Sequence, residues 1–186
     1  TVRLTERHPS IKGLGYVRSV QTDADRAAFR RQMEGSTAPG SDIRPIGLRD
    51  FYAPMTLFAP NEGLHQKVKG WDLSTEPMPR QAMERARDSG LAVMTGPLSS
   101  THFLHGTEGP AVMLMVPVYA LNKERGTLQH RRSATQGWIY SQIVVPEFLK
   151  LVDEHVPDMV MELYDGRAMN PSKRLHQSRL DELEAW

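Results

Sequence analysis

The sequence predicts an α+β fold: a central antiparallel sheet with helices packed on it. Three apolar segments, residues 91–98, 111–119 and 137–145, follow one another with loops between them, and consecutive strands joined in this way pair antiparallel. Two earlier segments of strand character, 11–20 and 52–58, bring the expected strands to five. Two stretches with apolar residues at helical spacing, 23–34 and from 76 onward, supply the covering layer.

Each element has a local reason. Gly13, Gly15, Tyr16 and Val17 suit a short strand, and Thr22 stands where a helix cap should. In the helix that follows, Ala28, Phe29 and Met33 fall on one side, and Gly35 stops it before a turn-forming loop at 36–41. A short strand is expected at 43–46 and a firmer one at 52–58. Thr75 is placed to cap the second helix, which tolerates Pro77 in its first turn. Met78, Ala82, Met83 and Ala86 form its buried stripe, with Glu84, Arg85, Arg87 and Asp88 facing out. Gly90 suits the left-handed position that ends such a helix. Residues 122–134 read as a loop between strands. Pro146 opens a helix with Phe148, Leu149 and Val152 on one face, 159–164 is a strand, and Asp165-Gly166 is a turn. The tail to Trp186 is polar and weakly patterned.

Composition excludes several classes. The 186 residues suit one generous domain or two small modules, and 39% hydrophobic with 24% charged residues is ordinary for a folded chain. A net charge of +1 argues against a nucleic-acid binder. Arg18, Arg26, Arg30 and Arg31 interleave with Asp23, Asp25 and Glu34, as on a solvated helix face. The absence of cysteine excludes disulfides, zinc-thiolate sites and a thiol nucleophile. The longest near-continuous apolar run, 111–121, contains Pro117 and falls short of the ~20 residues a membrane helix needs. Residues 1–7 carry no apolar leader, so the chain is expected to be soluble as it stands, with any membrane anchor elsewhere.

Catalytic and cofactor motifs fail one by one. Gly13-Leu14-Gly15 starts like a dinucleotide fingerprint, but Tyr16-Val17-Arg18 follows where a third glycine should open a helix. There is no phosphate-cradling loop and no nucleophile elbow. Ser99, Ser100 and Thr101 lie near His102 and His105 without a marked orienting carboxylate, and the histidine pair sits in an expected loop where ligand spacing has no meaning. The ten methionines read as core fillers. No catalytic residue, metal site or cofactor is expected.

Several segments, taken in order, resemble one family: His8-Pro9-Ser10-Ile11-Lys12-Gly13-Leu14-Gly15-Tyr16, Tyr52-Ala53-Pro54-Met55-Thr56, Gly70-Trp71-Asp72-Leu73-Ser74, and Arg85 through Pro97. Val116-Pro117-Val118-Tyr119 and Gly137-Trp138-Ile139-Tyr140 continue the series. Together they are similar to the CHASE domain, the extracytoplasmic sensory domain of receptor histidine kinases, adenylate cyclases and diguanylate cyclases, best known from plant cytokinin receptors. The resemblance implies a tandem PAS-like arrangement with an N-terminal stalk helix, mostly missing here. Residues 1–145 would be the stalk remnant and the membrane-distal ligand-binding module, and residues 146–186 the start of the membrane-proximal one. It also implies a location on the periplasmic or extracellular side, membrane anchoring and a homodimer in the full receptor, and an output domain in the cytoplasm.

In cytokinin-binding members an aspartate at the position of Asp72 hydrogen-bonds the purine, so the resemblance implies a small, adenine-like or otherwise nitrogen-rich ligand. Alternation along the strands adds an expected pocket lined by Tyr52, Met94, Gly96, Leu98, Met115 and Ile139, with Thr95 and Gly137 beside it. The alternative for Asp72 is a turn or helix cap with Ser74. The alternatives for the chain are a protein-interaction or dimerisation domain without a small ligand, or a small unrecognised hydrolase.

Overall fold

A computed structural model of the chain describes residues 2–33, 42–59, 68–98, 109–156 and 159–178, with side chains from residue 5 onward. After a short helix α1 (Val2–Arg7) come β1 (Ile11–Arg18), α2 (Asp23–Met33), β2 (Met55–Ala59) and α3 (Pro77–Ser89). Then follow β3 (Val93–Met94), β4 (Ala111–Tyr119), α4 (Leu128–Ala134), β5 (Thr135–Val144) and α5 (Val145–His155). β6 (Glu162–Tyr164) and β7 (Arg174–Gln177) form a separate two-stranded sheet. The main sheet has five strands in the order β2-β1-β5-β4-β3, every neighbouring pair antiparallel, which is the α+β architecture expected and is consistent with a PAS-like fold.

Register decides which side chains meet. Gly15, Phe58, Tyr140 and Met115 stand opposite one another across four strands, and Val93 pairs with Met115 at the edge. This row and the neighbouring Val17, Met55, Met113 and Trp138 face α3, whose Ala82, Met83 and Ala86 complete the core. Trp138 is fully buried, and its indole N–H donates to the Met83 carbonyl at 2.9 Å, so the largest core residue also has its polar atom satisfied. The other sheet face carries Leu57, Tyr16, Ile139 and Val116 in register, and Leu57 and Ile139 are exposed. Gly15 makes room for the Tyr140 ring: a Cβ there would lie 2.2 Å from its Cε1.

Several elements differ from the sequence expectation. The cap residue of α3 is Glu76, with no side-chain bond, because Thr75 belongs to a 3-10 turn, Leu73–Thr75, and its hydroxyl donates to the Asp72 carbonyl at 2.8 Å. Pro79, not Met78, completes the buried stripe, and Met78 is partly exposed. Gly90 does end the helix, at φ 78°. The strand expected at 91–98 shortens to two residues and one bridge, Leu98 to Ala111, because the Thr95 hydroxyl takes the Met113 N–H at 2.9 Å. The strand expected at 43–46 is a single bridge from Arg44 to Trp71. Residues 36–41 and the expected serine, threonine and histidine group at 99–105 lie outside the described residues.

The expected loop at 122–134 contains α4. Thr127 caps it, accepting the His130 N–H at 3.1 Å, and charge rather than an apolar stripe holds it to α3. The Asp88 carboxylate takes Arg132 at 2.6 and 3.0 Å and Arg87 at 2.7 Å, while Arg131 donates to the Asp88 carbonyl at 2.7 Å. At the other end of the sheet, α5 follows β5 with no residue between. Its Val145 and Leu149 pack on Val112, with half-buried Ile143, Met161 and Leu175 around them.

Two expectations follow. Gly15→Ala forces the added methyl into a buried ring and should cost about 1–3 kcal/mol in urea unfolding, and combining it with Tyr140→Leu should cost less than the two changes summed. The Arg132 hydrogen bonds, opposed by partial burial and reinforced by Arg87, hold the Asp88 carboxyl well below the usual carboxylate range. A depressed carboxylate stabilises the fold above its unfolded pKa and loses that contribution as pH falls toward its folded value. Wild-type stability should therefore decline from about pH 5 downward more steeply than that of Asp88→Asn, as followed by thermal melts.

Candidate ligand site around Asp72

Asp72 is fully buried, and its surroundings follow from the chain around it. Residues 71–72 run beyond the β2 side of the sheet: Asp72 bridges to Pro54, and its N–H donates to the Arg44 carbonyl at 2.6 Å. Ser74, two residues on, lets the carboxylate fold back as a cap. Asp72 Oδ1 accepts the Ser74 N–H at 3.0 Å, the Ser74 hydroxyl at 2.6 Å and the Ala53 N–H at 2.8 Å. Oδ2 accepts no hydrogen bond, although an Arg49 guanidinium nitrogen lies 3.3 Å away as an ion pair. The cap with Ser74 is thus present, and it uses one oxygen only.

The other expected site residues do not share one face. Met115 and Leu98 belong to the inner core, but Met94 stands opposite Leu114 and Ile139 opposite Val116, on the outer face, both exposed. The register brings Val93 and Tyr140 beside Met115 where Met94 and Ile139 were expected. Tyr52 lies in a second cluster with Val20, Phe29, Met33 and Ile43; its hydroxyl donates to the Gly47 carbonyl at 2.8 Å, and Arg26 and Arg49 lie over its ring. Thr95 is buried and bonded to Met113 through both its backbone and its hydroxyl. Gly96 passes so close to α3 that a Cβ would lie 2.3 Å from the Met78 methyl, and Gly137 so close to β1 that a Cβ would lie 2.1 Å from the Val17 carbonyl oxygen. The register therefore does not bring all of these residues onto one face, as alternation along the strands had suggested.

With this geometry in place, residues 1–176 match the CHASE domain. The chain belongs to the CHASE domain family. It is also 27% identical over 169 residues to "Probable histidine kinase 4" of Oryza sativa subsp. japonica, covering 88% of this chain and 16% of that protein. The chain therefore spans about a sixth of its relative's length, and its fold is that of a sensory domain rather than of a kinase catalytic domain. Among the described residues no helix is long and apolar enough to cross a membrane, and no group of three or more His, Asp or Glu could hold a metal ion.

Sequence reasoning found Asp72 and its cap partner Ser74 but missed Arg49 and the Ala53 N–H. Ser74 is visible because a residue two positions after an aspartate is a local turn partner. Arg49 and Ala53 reach Asp72 only through the fold.

Removing the carboxylate strips three donors of their acceptor and leaves Arg49 facing a void. Asp72→Ala should lower unfolding free energy by about 1.5–3 kcal/mol. A melting temperature equal to wild type would show that this network carries no stability.

Proposed function

We propose that this CHASE domain is the extracytoplasmic ligand-sensing part of a transmembrane signalling receptor, and that Asp72 orients a small nitrogen-rich ligand. The observation that carries the reading is the unspent half of a buried carboxylate: Oδ1 is saturated by structural donors, while Oδ2 accepts no hydrogen bond. Oδ2 is met by the Arg49 ion pair but by no hydrogen bond, so a ligand N–H donating to it would supply the bond that this buried oxygen still lacks. Arg49 beside it is a donor next to an acceptor, and together they complement an edge with one N–H and one ring nitrogen, such as that of an aminopurine.

In this reading residues 1–145 form the membrane-distal module and residues 146–186 begin the proximal one. The receptor is a membrane-anchored homodimer whose ligand-binding side is periplasmic or extracellular, and a kinase or cyclase output lies across the membrane. Ligand shifts the receptor only through differential affinity for two states. A second reading, a dimerisation module without a small ligand, is favoured by the exposed outer-face residues Leu57, Met94 and Ile139.

The test uses Asp72→Asn, which keeps an acceptor for the three structural donors and replaces Oδ2 by an amide N–H donor. With adenine and N6-alkyl adenines as probes, wild type should gain about 2.7 kcal/mol of stability at 100 times the Kd. The Asn variant should melt nearer to wild type than Asp72→Ala does, yet bind about ten- to hundredfold more weakly. Equal binding by wild type and the Asn variant would remove Asp72 from the ligand site. Dimerisation in sedimentation runs with no purine binding would carry the second reading instead.

A further inference from the structure

We propose that a groove on the outer face of the sheet, between β1, α2 and the α4–β5 junction, is a second binding site, and that it takes a small zwitterion such as a free α-amino acid. The groove has a volume of about 490 Å³ and is lined by polar side chains from all of these elements, among them Tyr16, Arg18, Thr22, Asp25, Gln32 and Gln136. That volume lies within the roughly 300–1,000 Å³ of small-molecule sites.

The charges define the ligand. Arg18 donates to the neutral Gln32 Oε1 at 2.6 Å and makes no ion pair among the described residues. Asp25 serves the first turn of α2: its Oδ2 accepts the Gln21 N–H at 3.2 Å, the Thr22 N–H at 3.0 Å and the Thr22 hydroxyl at 2.8 Å, and the Thr22 hydroxyl accepts the Asp25 N–H at 3.1 Å in return. All three donors use Oδ2, which leaves Oδ1 as an acceptor on the groove wall. Partial burial would raise the Asp25 carboxyl, but the hydrogen bonds from Thr22 and Gln21, with the nearby positive charge of Arg18, outweigh it and hold the group below the usual range. The groove therefore carries one cation and one anion that attract each other across it, each hydrogen-bonded to its own neighbours, with no hydrogen bond or close ion pair joining them among the described residues. A simple anion meets Arg18 but is repelled by Asp25, and a simple cation meets the reverse. A molecule carrying both charges satisfies both: its carboxylate on Arg18, its ammonium on Asp25 Oδ1, and a short polar side chain toward Gln136.

Isothermal titration of the chain with L-glutamine, with acetate and methylammonium as single-charge controls, tests the proposal. The expected result is saturable binding of glutamine and much weaker binding of either control. Arg18→Gln and Asp25→Asn should each weaken glutamine binding about ten- to hundredfold. Asp25→Asn keeps an acceptor for the α2 turn, so it carries the test if Arg18→Gln fails to fold. No heat up to about 10 mM glutamine, acetate binding as tightly as glutamine, or unchanged affinity in folded Asp25→Asn would each overturn it. Because Asp72 is not among the residues that line the groove, loss of purine binding in its variants bears on that site alone.

Discussion

A single buried carboxylate fastens together chain segments that the main sheet does not reach. Asp72 joins Ala53, just before β2, to the turn at residues 72–75 from which α3 departs, and its own N–H ties that turn to Arg44. An ionised group taken out of water is unfavourable by several kcal/mol unless its lone pairs are met. Here three short hydrogen bonds to one oxygen and a guanidinium near the other offset that cost. The network is consequently directional: losing the carboxylate does not relax the site but strands its donors. The path of the chain into α3 depends on this point, and with it the placement of Ala82, Met83 and Ala86 over the sheet.

The second constraint is register, which α3 and the sheet enforce on each other. Side chains alternate between faces, so a slip of one residue in β5 would replace Trp138 and Tyr140 in the core by Ile139 and Ser141. Close approaches oppose such a slip. Gly15 is shaped to the Tyr140 ring, and Gly137 lies against the Val17 carbonyl, so neither fits a different neighbour. Trp138 adds a polar check, since its indole N–H reaches the Met83 carbonyl only in this register.

Much of this was legible in the sequence, and what was not has definite causes. The five strands, α2, α3 and α5 follow from apolar periodicity and from Gly90 as a helix stop, because those signals act within one element. α4 escaped because no apolar stripe marks it: its attachment is the Asp88, Arg131 and Arg132 cluster, whose members are 43 and 44 residues apart. β3 was read too long because a threonine hydroxyl can replace a ladder partner, which propensity does not reveal. For the site, Asp72 and Ser74 were visible as neighbours, whereas Arg49 was not. The error over Met94 and Ile139 has one source: alternation within a strand says which residues share a face, but only the pairing between strands says which face that is.

Asp72 and Asp25 show the same economy in two settings. In each, one carboxylate oxygen is held by turn or helix-start donors and the other is left without a hydrogen bond among the described residues. A flexible surface carboxylate must lose rotamer freedom before it can orient a ligand, and that loss subtracts from affinity. A carboxylate whose one oxygen is already fixed by the fold has lost that freedom during folding, so its second oxygen points in a set direction before any ligand arrives. The difference between the two is dielectric. Asp72 is shielded from water, so a ligand bond to it would keep the full strength of a charge-assisted bond, while one to Asp25 would be weakened by salt and water in a solvated groove. Structural capping and ligand recognition are therefore not rival roles for such a residue: the first supplies the rigidity that the second requires.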